Sequence, residues 1–315
     1  MAILESLLPM KKSAGSLTFK RRKSDGRVIV SQKIETFHNH RTTRSMQNKL
    51  PMINTQAMYR FLKNQVRENM EPDGSKRSAY STYLHLNKPL TRSWLPQQEA
   101  HNGNAILEPH YISNGTLMPV LCQLDGDNKM LTDILSGLNS FEGVTVGEWS
   151  RDLLEHNADY QSGDLLRLVY LRQVSRQYDT QRWVSHRIED QSRLVMLNEN
   201  DDRLLSEVVD TELWGLLDGH LALLQPLSSA AATVVRLRPQ VRDAGTSGML
   251  VYNTLAQHLA AGFPLATYVK PDAQPMICKV SRQRLVCVNP LIEDYATDER
   301  FAEAARTFGP IKDPA

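Results

Sequence analysis

What this 315-residue chain has little of narrows its chemistry first. Its three cysteines, Cys122, Cys278 and Cys287, are too few and too scattered for a disulfide framework or a zinc cage. No histidine stands beside them at ligand spacing. They read as buried structural thiols, with Cys278 and Cys287 expected close together. No apolar run approaches the roughly 18 residues needed to span a bilayer. The apolar stretch Met1–Met10 is short, and Lys11 and Lys12 follow it, the reverse order of a secretory signal. A cytoplasmic or particle-associated protein without a membrane span is expected.

Motifs that carry chemistry are equally scarce. There is no Gly-rich phosphate loop, no dinucleotide fingerprint and no nucleophile elbow. Asp125-Gly126-Asp127-Asn128-Lys129 opens like a calcium loop, but Met130 stands where glycine is required and Ser136 where the bidentate acid belongs. It is a polar turn. In Phe37-His38-Asn39-His40 the two histidines share a strand face but lack a third metal ligand. The other seven histidines (His85, His101, His110, His156, His186, His220 and His258) form no cluster along the chain, although a site can assemble from distant segments. No catalytic residue, metal or cofactor is assigned on these grounds.

What the sequence does have is segregated charge. Residues 1–65 hold 13 Lys/Arg against three Asp/Glu, a net +10, while the remainder holds 24 against 32, a net −8. Such asymmetry points to a polyanionic partner or an acidic protein surface. The candidate contact residues are Lys20, Arg21, Arg22, Lys23, Arg27, Lys33, Arg41 and Arg44. Phe19 and Phe37 are the only nearby aromatics, so backbone contact blind to sequence is expected rather than single-strand readout. A second basic group, Arg236, Arg238, Arg282 and Arg284, falls on alternating segments and reads either as one cationic face or as arginines ion-paired to the acidic body.

The periodicity places a strand at Gly15–Arg22, an Asp25-Gly26 turn and a returning strand at Arg27–Ile34. A helix follows from about Ser45 to Asn69, with Pro51 early in it, and a shorter helix at about Lys76–Asn87. Residues 1–87 form the basic module, 88–105 a linker, and 106–315 a mainly antiparallel β body with short helices, a sandwich or partial barrel. The fold class is α+β. Within the body, Thr145-Val146-Gly147-Glu148 is a capping box, Gln161–Asp164 a turn and Asp298–Phe308 a terminal helix.

Gly15-Ser16-Leu17-Thr18-Phe19-Lys20-Arg21, Gly26-Arg27-Val28-Ile29-Val30-Ser31 and Asn39-His40-Arg41-Thr42 resemble an uncharacterised family found mainly in Bacteroidetes. Its members open with a Gly-rich hairpin and continue into a basic Asn-Pro-Arg-Thr-x-x-Gln segment. His40 here replaces the family's proline. The resemblance extends to Thr145–Glu148, Gly163-Asp164 and Val280–Leu285, and it implies no activity or site residue.

The expectation is a non-enzymatic structural or assembly protein whose basic module contacts nucleic acid, another polyanion or an acidic protein surface. It would act within a self-assembling complex such as a phage-like or mobile-element particle. A stand-alone, sequence-nonspecific nucleic-acid-binding protein is the alternative, and an enzyme with a site drawn from distant residues ranks third.

Overall fold

A computed structural model describes residues 2–4, 12–14, 17–21, 28–32, 41–71, 77–177, 184–240 and 277–311. Two compact units divide the chain: Met1–Ser45 with Ile311–Ala315, and Met46–Pro310.

In the first unit, β1 (Ala2–Leu4), β2 (Lys12–Ala14), β3 (Leu17–Arg21) and β4 (Val28–Gln32) form an antiparallel sheet in the order β1-β4-β3-β2. The expected hairpin is β3–β4, in register from Leu17↔Gln32 to Arg21↔Val28. Its turn, with Asp25 and Gly26, lies outside the described residues.

The second unit is α+β. Its elements are α1 (Thr43–Asn69), α2 (Ala79–Asn87), α3 (Gln97–His101), β5 (Cys122–Leu124), β6 (Met130–Leu135) and α4 (Val146–His156). There follow β7 (Leu165–Gln177), β8 (Val184–Asp190), β9 (Arg193–Met196), α5 (Leu205–Val208), β10 (Trp214–Leu217), β11 (His220–Leu223) and β12 (Ala230–Gln240). The chain closes with β13 (Ile277–Val280), β14 (Val286–Val288), α6 (Leu291–Asp294) and α7 (Asp298–Arg306). A six-stranded antiparallel sheet runs β13-β12-β7-β8, with β14 also on β12 and β9 also on β7. Its central strands are buried on both faces. Leu165, Val169 and Leu171 of β7, with Val235 and Leu237 of β12, pack against Leu62 and Val66 of α1 and Tyr83 of α2. Leu166, Leu168, Ala232 and Val234 pack the other way, against Trp149 of α4, Met130 and Ile134 of β6, and Trp214 of β10. The second sheet, β10-β11-β6-β5, makes this opposite layer a β-sandwich. Among the described residues no helix is long and apolar enough to cross a membrane.

Three expectations change. The compact-unit boundary falls after Ser45, so α1 and α2 belong with the body rather than the basic hairpin, because their apolar faces cover the six-stranded sheet. Residues 88–105 are not a linker: α3 forms there, and Thr91, Ser93, Leu95, Asn104 and Ala105 are buried. Residues 105–113 form only an isolated antiparallel bridge, Tyr111↔Arg284, with Ile112 N–H on the Gln283 carbonyl and Leu285 N–H on the His110 carbonyl, and side-chain amides meet other backbone groups of the segment. Asn54 and Asn87 bracket Ile106 and Tyr111, each amide receiving the backbone N–H and donating to the backbone C=O of its target. Gln173 accepts from the Leu107 N–H, and Asn289 donates to its carbonyl.

The thiols are also farther apart than expected. Cys287 pairs with Ala231 and Cys278 with Pro239, at opposite ends of β12. Eight residues of strand separate them by roughly 26 Å. Burial pushes Cys278 up to about 11 and Cys287 to about 12, so both stay protonated.

The capping box is complete. Thr145 Oγ1 accepts from the Glu148 N–H at 3.2 Å, and Glu148 Oε2 accepts from the Thr145 N–H at 2.9 Å. Thr145→Ala should cost about 1 kcal/mol. For a unit of this size that lowers the calorimetric midpoint by about 2–4 °C.

Candidate functional site

The residues expected to meet a polyanion separate into two groups. Lys20 and Arg21 are the last two residues of β3. Arg41 is half-buried just before α1, and Arg44 is exposed in its first turn. Arg22, Lys23, Arg27 and Lys33 lie outside the described residues, as do His38 and His40.

The second basic group does not form one face. Asp164, in the expected Gln161–Asp164 turn and about 1% exposed, takes both strand arginines. Arg238 grips it with two bonds, Nε to Oδ1 at 2.7 Å and Nη2 to Oδ2 at 2.8 Å. Arg236 Nε donates to Oδ2 at 3.0 Å, and its Nη2 donates to the Asp159 carbonyl. The Arg236 guanidinium also lies 4.1 Å from the Tyr160 ring centroid. At 3% exposure Arg236 is no surface cation. Of the two readings of this group, ion pairing describes Arg236 and Arg238. Arg282 and Arg284 are exposed beyond β13, over a different segment: Arg284 Nε donates to the Pro109 carbonyl, and Arg282 covers the Tyr111 ring. A like arrangement holds Arg167 of β7, whose Nη2 meets Glu68 Oε2 at 2.5 Å while Nη1 donates to Asn69.

Two histidines without a sequence cluster each anchor a buried hydrogen-bonded chain. Around His110, fully buried, Tyr83 Oη lies 3.0 Å from Nδ1 and Thr91 Oγ1 2.9 Å from Nε2. Thr91 Oγ1 donates to the Asn87 carbonyl at 3.0 Å, so it accepts from Nε2 and the Tyr83 hydroxyl donates to Nδ1. The ring proton therefore sits on Nε2, facing Thr91. Burial, reinforced by Arg284, holds His110 down to about 3, so it is neutral in the fold. Beside it Glu108, also fully buried, accepts from Asn54 Nδ2 and from the Arg92 and Ser93 N–H groups. Burial raises its carboxyl against those donors.

The second chain runs to the surface. Exposed Ser175 on β7 pairs with His186 on β8, Oγ to Nδ1 at 2.8 Å. His186 Nε2 lies 2.8 Å from the Tyr295 hydroxyl, which donates to Glu99 Oε2 at 3.3 Å. The Tyr295 proton being committed to Glu99, His186 carries its proton on Nε2 and accepts from Ser175 on Nδ1. This order resembles a general base behind a hydroxyl, but burial and then Arg300 lower the His186 pKa. Glu99 stands behind Tyr295 rather than against the ring. The neutral imidazole is thus favoured, and no carboxylate stands against its other ring nitrogen as it would in a Ser-His-Asp triad, Tyr295 taking that place. No spacing rule finds either chain. Ser175 and His186 become neighbours only once the β7–β8 register is known.

Asp164→Ala strands two guanidiniums, one of them fully buried, and should cost about 3–5 kcal/mol in denaturant unfolding. Protonation of His110 links stability to pH. With its folded value near 3 against 6.5 unfolded, its contribution is whole above pH 6.5 and drains away as pH falls toward 3. Glu108, raised in the fold, acts with the opposite sign. The stability advantage of wild type over His110→Gln, which isolates the histidine, should therefore shrink on acidification across that window.

No protein family, curated protein or solved structure matches this chain.

Proposed function

We propose that the protein is a non-enzymatic structural or assembly component whose basic N-terminal unit contacts a polyanion, nucleic acid being the first to test. The observation that carries this is the charge partition. Positions 1–45 hold ten Lys/Arg against three Asp/Glu and coincide with a separate compact unit built on an antiparallel sheet. Lys20 and Arg21 close β3 next to the basic residues Arg22 and Lys23 in sequence.

Binding of this kind follows counterion release and falls steeply with salt. Filter binding of duplex and single-stranded DNA should show a linear decline of log K with log salt, with little preference for sequence. The variant Lys20→Gln/Arg21→Gln/Arg22→Gln/Lys23→Gln should flatten that slope by about 3–4 units. A slope unchanged in the variant, or no binding at low salt, overturns the reading. Tight binding by a strict monomer points instead to a stand-alone nucleic-acid-binding protein.

A further inference from the structure

Arg282 and Arg284, which share no face with Arg236, converge on an aromatic ring. The isolated bridge Tyr111↔Arg284 sets those two residues side by side, and Arg284 Nε donates to the Pro109 carbonyl at 2.7 Å. Two residues back, the Arg282 guanidinium lies 4.8 Å from the centroid of the Tyr111 ring. Both arginines are exposed, and Tyr111 is half-buried.

Two further cations border the same segment. The Asn87 side chain donates to the Tyr111 carbonyl at 2.8 Å and accepts from its N–H at 2.7 Å, which brings exposed Lys88 beside it. The Arg92 N–H donates to Glu108 Oε2 at 2.8 Å, and Arg92 is exposed too. Three stretches of chain, 87–92, 108–111 and 282–284, thus gather four cations. They contain a single acid, Glu108, which is buried and occupied by Asn54 and the Arg92 and Ser93 N–H groups. Among the described residues no carboxylate pairs with Lys88, Arg92, Arg282 or Arg284. Arg167, Arg236 and Arg238 each have one.

We propose that this cluster is a second contact for nucleic acid, and that it takes an unpaired, single-stranded stretch. The ring and the guanidinium on it select that class. Cations alone attract any polyanion, but a tyrosine capped by an arginine plane offers a flat surface to an unstacked base. Bases in a duplex are already stacked on one another. Arg284, with Nε anchored on Pro109, keeps both Nη groups for a phosphate, and Lys88 and Arg92 serve the phosphates beyond it. The contact rests on the nucleic-acid reading above and adds to it a preference for strand state rather than for sequence.

Filter binding of oligothymidylate, and of a duplex of equal length, to the full chain provides the test. Wild type should hold the single strand more tightly at equal salt, and the variant Lys20→Gln/Arg21→Gln/Arg22→Gln/Lys23→Gln should keep that preference. Lys88→Gln/Arg284→Gln should flatten the single-strand salt slope by about 1.4 units, at ~0.7 per phosphate. Tyr111→Leu leaves the charge unchanged, so it should weaken oligothymidylate binding ~10-fold with the slope preserved. Arg282→Gln, at an exposed position, should weaken it as well, and melting midpoints by circular dichroism confirm that each variant is folded. No binding of either DNA by wild type at low salt overturns the nucleic-acid reading and this contact together. Binding by wild type without preference for the single strand overturns this contact alone. So does a preference that survives in folded Tyr111→Leu or in Arg282→Gln, and the basic N-terminal unit then remains the site.

Discussion

Burial of β7 and β12 on both faces governs the body of this protein. Two central strands with Leu166, Leu168, Ala232 and Val234 on one side, and Leu165, Val169, Val235 and Leu237 on the other, require a layer against each. The helices α1 and α2 supply one, and the sandwiching sheet with α4 supplies the other. A charge on the doubly covered part of those strands is then trapped, and removing a charge from water is expensive unless it is paired. Arg167, Arg236 and Arg238 are the charges in question. Each has a carboxylate brought to it by a different local device, the end of α1 for Arg167 and the turn before β7 for the other two.

The same pressure explains the amide frame around residues 105–113. An extended segment inside the protein, bridged to a neighbour only around Tyr111 and Arg284, leaves its other N–H and C=O groups exposed to desolvation. Asn54, Asn87, Gln173 and Asn289 meet those groups from four separate elements. An amide side chain offers a donor and an acceptor at peptide-like spacing, so it can stand in for a neighbouring strand where none fits. His110 and Glu108, in the same segment, extend the arrangement to hydroxyl and backbone partners.

Local features of this fold were legible in the sequence. The capping box at Thr145, the Gln161–Asp164 turn, the β3–β4 pairing and the terminal helix from Asp298 each depend on residues a few positions apart. The α+β class followed from the alternation of such segments. What could not be read depends on pairings across the chain. Thr91 and Asn104 look like linker residues until Asn87, His110 and His186 are placed beside them. Cys278 and Cys287 are near in sequence but pair with opposite ends of β12. Arg236 and Arg284 alternate alike on paper, yet one is buried against Asp164 and the other lies over Pro109.

The distances that defeat sequence reading also set the order of events on the ribosome. The Trp94 indole donates to the carbonyl of Ala296, 202 residues later, and Met46 and Leu50 of α1 pack on Ala304 and Ala305 of α7. At ~5–20 residues per second, synthesis of that interval takes roughly 10–40 s, during which the Met46–Leu50 end of α1 has no α7 to pack on. The basic N-terminal sheet, whose pairings are all local, can close within that time. A nascent chain therefore presents its cationic unit before its apolar helix finds shelter, so the body completes last and slowly, as high contact order dictates.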